Sequence, residues 1–137
     1  MKIEEKIKFY KDSLDFFDET IDKYKFLLDQ GKKSRPFPEE FRQEKFKVSG
    51  CQAQVWLIPE FKNGLLSFYS DSDAFISKGM ITIITDIYGN NEPTEIKNSN
   101  FDLLKTLKLD SLLTTGRRNG VFAMLKKIEE YSIKYCD

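Results

Sequence analysis

Apolar side chains recur at alternating steps of four and three residues through the first thirty positions of the chain. Such spacing places them on one face of a helix, and they are Ile3, Ile7, Tyr10, Leu14, Phe17, Ile21, Tyr24 and Leu28. One helix of about eight turns satisfies this pattern. Asp18, Glu19 and Thr20 can cap a helix terminus, so a second helix that starts there is the alternative. In both cases the segment is predicted to end at Gly31 in a left-handed conformation.

A proline-containing segment and three strand candidates follow this helical region. Residues 34–45 predict a surface loop, because their two prolines interrupt a helix and their charges do not suit a buried strand. The strand candidates are KFKVS (45–49), QVWLIPEF (54–61) and LLSFYS (65–70). Asn63-Gly64 lies between the last two and is the strongest short signal for a β-hairpin.

The middle strand candidate is apolar at four consecutive positions, residues 55–58. A strand with one solvated face would alternate between apolar and polar residues, so this run predicts a central strand that is covered on both faces. Trp56 is accordingly expected in the core. Cys51 comes just ahead of this strand, after Gly50.

Residues 70–89 are ambiguous, because their many β-branched side chains favour a strand whereas the spacing of their apolar residues favours a helix. The helical spacing is kept by Ile76, Met80, Ile83, Ile84 and Ile87. We interpret the segment as a helix, since Gly89 can end it and four N-cap candidates precede it, namely Ser70, Asp71, Ser72 and Asp73. Gly79 inside this helix is expected to cost about 1 kcal/mol relative to alanine.

The C-terminal third of the chain is predicted to be helical. A short turn or helix is expected at residues 93–98, a short amphipathic helix at 101–108 and a long helix at 116–135. The buried side of the long helix is marked by Val121, Leu125, Ile128 and Tyr135.

Length and charge restrict the class of protein. A chain of 137 residues is expected to form one domain, residues 1–137, around one core. Its 22 basic and 22 acidic residues cancel, so no basic field for nucleic acid or an anionic membrane is expected. The chain has no apolar run of the roughly 20 residues that cross a bilayer, and its charged N-terminus is unlike a signal peptide. We therefore expect no membrane partner and a cytoplasmic location.

The chain contains no histidine, which excludes several kinds of active site. Cys-His pairs, Ser-His-Asp triads and histidine-bearing metal sites cannot form. Cys51 and Cys136 are too few for a zinc or iron–sulfur site, and no disulfide framework is expected. Because glycine-rich phosphate loops are also missing, no bound cofactor is expected.

One kind of chemistry is still open to a lone thiol. A thiolate can attack another sulfur atom by exchange without a neighbouring general base. Cys51 could act in this way, or it could be a small buried apolar residue, as most free cysteines are. The residues of the chain leave both interpretations open.

Four blocks of sequence resemble the SufE sulfur-acceptor proteins and their CsdE relatives, which partner cysteine desulfurases in iron–sulfur cluster assembly. The blocks are GCQAQVW (50–56), SDSDAFISKGM (70–80), YGNNEPTEI (88–96) and GRRNGVFAMLKKI (116–128). They occur in the family's order. The resemblance extends over about residues 31–130.

The resemblance implies an α+β fold, in which a three-stranded antiparallel sheet packs with N-terminal helices and a C-terminal helical region. It favours two N-terminal helices over one. It also implies that a pyridoxal-phosphate-dependent cysteine desulfurase of the SufS/CsdA kind passes the outer sulfur of its persulfide to Cys51. The chain would stimulate desulfurase turnover and deliver the sulfur to downstream iron–sulfur scaffold proteins. The cofactor belongs to the partner, and a homodimer is compatible with this scheme.

Cys51 matches the acceptor cysteine of the family, and four further residues are candidates for partner binding: Arg117, Asp73, Gln52 and Gln54. A cation in the first turn of a helix faces the positive end of the dipole, so Arg117 should serve either partner docking or an internal salt bridge. Asp73 could contact the partner or cap its helix. The two glutamines could position the cysteine loop or be polar residues at the edge of a strand.

A second hypothesis belongs to a different functional class. The chain could be a non-catalytic binding module that activates a desulfurase or a cluster scaffold without carrying sulfur. Such a module would tolerate Cys51→Ser, whereas a sulfur carrier would not.

Overall fold

The computed structural model describes residues 2–136, which form an α+β fold of helices around an antiparallel sheet. Short 3₁₀ turns lie at Glu39–Phe41, Glu44–Phe46 and Leu109–Ser111. The helices and strands are α1 (Ile3–Asp15), α2 (Thr20–Gly31), β1 (Val55–Lys62), β2 (Leu65–Ser72), α3 (Phe75–Tyr88), α4 (Pro93–Lys97), α5 (Leu103–Thr106) and α6 (Thr115–Tyr135). The predicted fold class and the predicted helical segments are confirmed.

The sheet has two strands, so the prediction of three is wrong. Residues 45–49 contribute only a bridge between Lys47 and Trp56, beside a hydrogen bond from Val48 N to Val55 O of 2.8 Å. The pairing stops because a 3₁₀ turn precedes this bridge and Gly50, with φ of 90°, turns the chain after it. Only a short piece of extended backbone is left to pair with β1.

The hairpin of β1 and β2 turns at Asn63 and Gly64, as predicted. Their φ values of 55° and 78° are those of a type I′ turn, whose twist matches that of the two strands. Successive residues of β1 point to opposite faces of the sheet. Val55 and Leu57 join the main core, while Trp56 and Ile58 join a smaller cluster with Phe37. The prediction that β1 is covered on both faces and that Trp56 is buried is confirmed, whereas the prediction that β1 is a central strand is wrong, because the sheet has only two strands.

Two separate helices form the N-terminal region, as the family resemblance favoured. The apolar pattern continues through the break between them, but its members do not all reach the core, and Ile21 is 59% exposed. Gly31 does not adopt the predicted left-handed conformation and instead forms the last residue of α2. A β-carbon on Gly31 would lie 3.2 Å from Gly79 N of α3, and one on Gly79 would overlap Leu27 O. Both glycines therefore allow close packing of α2 against α3.

Helix α3 confirms the helical interpretation of residues 70–89, but its predicted N-caps are wrong. Ser70 and Ser72 belong to β2, and the N-cap position is Ala74, which has no capping side chain. Gly89 ends the helix as predicted, with its N–H 2.9 Å from Thr85 O. Within residues 2–136, no helix combines the length and apolar character needed to cross a membrane.

Candidate functional site

Cys51 lies in a short loop, residues 49–54, that leads into β1 and packs on the N-terminal half of α6. The helix meets this loop with three small residues, Gly116, Gly120 and Ala123, whose spacing places them on one face. A β-carbon on Gly120 would lie 3.6 Å from Cys51 Sγ, and one on Gly50 would lie 3.4 Å from Ala123 Cβ. The small residues of α6 thus form the seat of the Cys51 loop. These small residues are spaced four and three positions apart, a pattern that is visible in the sequence. The apolar residues used to predict the buried side of this helix did not include them.

The Cys51 side chain is half-buried against the main core, beside the backbone of α6. Its Sγ donates a hydrogen bond to Gly120 O at 3.6 Å. Burial raises the pKa of the Cys51 thiol above its ordinary value, because the thiolate would lose solvation there. The neutral thiol is therefore favoured over the thiolate in this position, where Sγ also faces the carbonyl oxygen of Gly120.

Gln54 and Asp73 join the end of the Cys51 loop to the beginning of α3. Asp73 accepts hydrogen bonds of 2.9 Å from both the backbone N–H and the side-chain amide of Gln54, and its own N–H donates to Gln54 O at 3.2 Å. The side-chain and backbone hydrogen bonds from Gln54 hold the pKa of Asp73 below its usual range. Asp73 is thus a partner of the loop, and its interpretation as a helix cap is wrong.

Gln52 is exposed on the outer side of the loop, and its side chain lies against Gly116 at the start of α6. A β-carbon on Gly116 would overlap the Gln52 amide group, so the glycine makes room for this side chain. The two glutamines on either side of Cys51 therefore contact different elements, Gln52 the start of α6 and Gln54 the start of α3.

The two neighbouring arginines of α6 have different environments. Arg118 donates hydrogen bonds to Asp110 O and Leu113 O, at 2.8 and 2.9 Å, and so binds the segment that precedes the helix. Arg117 is exposed, and its side chain makes no hydrogen bond or salt bridge to any of residues 2–136. The internal salt bridge considered for Arg117 is thus not formed within the part of the chain that the structure describes.

The second cysteine lies away from this loop, in the C-terminal residues. Cys136 Sγ is 3.8 Å from Thr94 Oγ1, and both cysteines are free thiols. Across residues 2–136, no group of three or more cysteine, aspartate or glutamate side chains is placed to hold a metal ion. The chemistry that the described residues offer at this site is that of the single Cys51 thiol.

Comparison with known proteins gives concordant matches. The family model described as "SufE: Fe-S metabolism associated domain" matches residues 9–132. An uncharacterised SufE-like protein of Rhizobium etli is 33% identical over 124 residues, covering 87% of this chain and 84% of the relative. A protein of Wigglesworthia glossinidia brevipalpis named cysteine desulfuration protein SufE is 33% identical over 113 residues, covering 80% and 77% of the two chains.

A solved structure has the same fold. The solution structure of a hypothetical protein from Thermus thermophilus superposes with a TM-score of 0.71 and covers 95% of each chain. At 16% sequence identity this match supports the fold alone.

Proposed function

The chain belongs to the SufE family, and we propose that it is a sulfur acceptor that takes persulfide sulfur from a cysteine desulfurase onto Cys51. The observation that carries this proposal is the position of Cys51, a lone thiol in a loop between the starts of two helices. The relative from Wigglesworthia glossinidia brevipalpis is named for cysteine desulfuration, which supports a role in sulfur transfer. The sulfur is then passed on for iron–sulfur cluster assembly.

The proposed transfer moves the outer sulfur of a persulfide from one cysteine sulfur to another, so it involves no net oxidation or reduction. The Cys51 thiolate attacks the outer sulfur of the desulfurase persulfide, a new S–S bond forms, and the S–S bond of the donor breaks. The desulfurase cysteine leaves as a thiolate and takes up a proton, while Cys51 becomes a persulfide. No external oxidant or reductant is required. Turnover is stimulated because the desulfurase recovers its free cysteine.

The position of the thiol implies that Cys51 must move or be activated before it reacts. Its Sγ faces Gly120 O, and burial raises its pKa, so the thiolate is disfavoured in the resting arrangement. Docking of the partner would turn the thiol away from this carbonyl and towards the incoming persulfide. The same half-buried position would shelter the persulfide product from solvent reductants.

The four partner-binding candidates divide into two proposed roles. Gln54 and Asp73 join the end of the Cys51 loop to α3, and Gln52 lies against the start of α6, so we assign these three residues to the positioning and release of the loop. Arg117 projects from the start of α6 without an internal partner among residues 2–136, and we assign it to docking of the desulfurase.

The decisive experiment is intact-mass analysis after incubation with a pyridoxal-phosphate-dependent cysteine desulfurase and cysteine. The protein should gain the mass of one or more sulfur atoms, a thiol reductant should remove them, and peptide mapping should place them on Cys51. Cys136→Ser serves as the matched control and should be labelled like the parent.

Two outcomes contradict the carrier role. Labelling that persists in Cys51→Ser, or disappears only in Cys136→Ser, would remove Cys51 from the mechanism. A Cys51→Ser protein that carries no sulfur yet fully stimulates the desulfurase would instead support the non-catalytic binding module.

A further inference from the structure

Phe75 is the first residue of α3, and its side chain is 82% exposed. An aromatic ring of this size contributes strongly to core energetics when it is buried, yet here it stands in solvent. Beside it lies a shallow cavity of about 300 Å³ that is lined by Leu28, Gly31, Lys32, Phe75 and Lys78. We call these five residues the Phe75 patch.

The Phe75 patch is connected to the Cys51 loop through Asp73. Phe75 follows two residues after Asp73, and Asp73 holds the end of this loop through Gln54. The patch therefore begins where the loop is fastened to α3. Arg117 stands at the start of α6, on which the same loop is seated.

We infer that the Phe75 patch is the apolar anchor by which the cysteine desulfurase docks, an inference that rests on the proposed function. Sulfur transfer brings the donor sulfur within about 2 Å of Cys51 Sγ, the length of an S–S bond. The donor protein must then cover the surroundings of the loop. A stable interface removes about 800 Å² from each partner, an area that extends well beyond a six-residue loop. Phe75 is two residues from Asp73, which contacts the end of the loop, and is therefore a candidate for that surrounding surface.

The charges at the edge of the patch define the chemistry that would fit it. Lys32 is highly exposed, and its nearest carboxylate is Asp29 of the same helix, at 3.6 Å. Lys78 lies 3.5 Å from Asp71, a carboxylate that Arg42 also binds at 2.8 Å. The cations of the rim are thus two lysines, each with a carboxylate of this chain within 4 Å. The matching desulfurase surface carries an apolar side chain that enters the cavity, flanked by carboxylates that face the two lysines.

The energetic role of Phe75 can be tested because the fold does not depend on it. Buried aromatic anchors carry much of the affinity of an interface, so Phe75→Ala should weaken desulfurase binding about tenfold or more. Phe16→Ala is the matched control, since Phe16 is 80% exposed and lies at the end of α1. For the rim, Lys32→Glu should weaken binding, and Lys62→Glu at the hairpin turn is its control.

The experiment measures the dissociation constant for the desulfurase of the same organism, together with the persulfide formed on Cys51 at saturating desulfurase. Weaker binding by Phe75→Ala and Lys32→Glu, with unchanged binding by both controls, supports the patch. Parental binding by Phe75→Ala overturns it, as does equal weakening by Phe75→Ala and Phe16→Ala. Phe75→Ala should still receive sulfur at saturation, whereas failure of the proposed function would leave the parent protein itself without sulfur.

Discussion

Asp73 binds Gln54 through both of its carboxylate oxygens, at 2.9 Å to the backbone N–H and 2.9 Å to the side-chain amide. This contact fastens the last residue of the Cys51 loop to the segment that opens α3. Since both residues are exposed, the fastening can be released without exposing the core.

Asp73→Ala should loosen the Cys51 loop, because it removes two hydrogen bonds of which one involves the backbone. The rate of Cys51 alkylation by iodoacetamide, measured in a Cys136→Ser background, should rise several-fold. The unfolding free energy should change little, because both residues are exposed and water can replace the lost hydrogen bonds. Asp18→Ala, an exposed aspartate in the turn between α1 and α2, should leave the alkylation rate unchanged. An unaltered rate in Asp73→Ala would mean that this contact does not restrain the loop.

The alkylation rate of Cys51 should rise with pH over a higher pH range than that of an ordinary cysteine. Burial raises the pKa of the Cys51 thiol, so its alkylation should still be increasing with pH where an unhindered cysteine, with a pKa near 8.5, has levelled off. The stability contributed by the neutral thiol is fully present below the unfolded-state pKa and is lost as pH rises through the folded-state pKa. Alkylation rates of the Cys136→Ser protein from neutral to alkaline pH measure this shift. A profile that matches free cysteine would show that the thiol is solvated.

Replacing glycine by alanine should have opposite effects on stability at two helical positions. Gly116→Ala would meet only the mobile end of the Gln52 side chain, which can rotate away, so the gain of up to about 1 kcal/mol in helix propensity should be retained. Gly79→Ala would meet Leu27 O, a backbone atom fixed in α2, and should lose about 1–3 kcal/mol or more. Urea unfolding of the two variants measures the contrast. Equal stability changes would contradict the close approach of α2 and α3.

Arg117→Glu and Arg118→Glu should separate docking from stability. Arg117→Glu places an anion in the first turn of α6 and removes no internal bond to residues 2–136, so helix stability should stay equal or rise by about 0.3–1 kcal/mol. Binding to the desulfurase should nevertheless weaken. Arg118→Glu removes hydrogen bonds to two carbonyl oxygens and should lower the melting temperature. The melting temperature and the desulfurase affinity of both variants test this prediction. Unchanged desulfurase binding by Arg117→Glu would contradict a docking role for Arg117.

Much of the fold follows from local patterns along the chain. Helical spacing located α1, α3 and α6, and Asn63-Gly64 located the hairpin, because these signals depend on neighbours a few residues apart. The four apolar residues of β1 also showed that both of its faces are covered. The absence of histidine and the position of Cys51 before β1 limited the site to the chemistry of a lone thiol.

Only the tertiary structure decided the relationships between distant residues. Gln54 and Asp73 are 19 positions apart, so the helix-cap interpretation of Asp73 could not be corrected from local sequence. The same holds for Gly31 and Gly79, which meet where α2 crosses α3, and for the third strand, which the turn at Gly50 prevents.

Likewise, the sequence presents Cys51 as a free thiol, whereas packing on α6 decides that it is half-buried, faces Gly120 O and has a raised pKa. Propensity acts over a few residues, while burial and hydrogen bonding across the chain depend on how the helices and the sheet pack together.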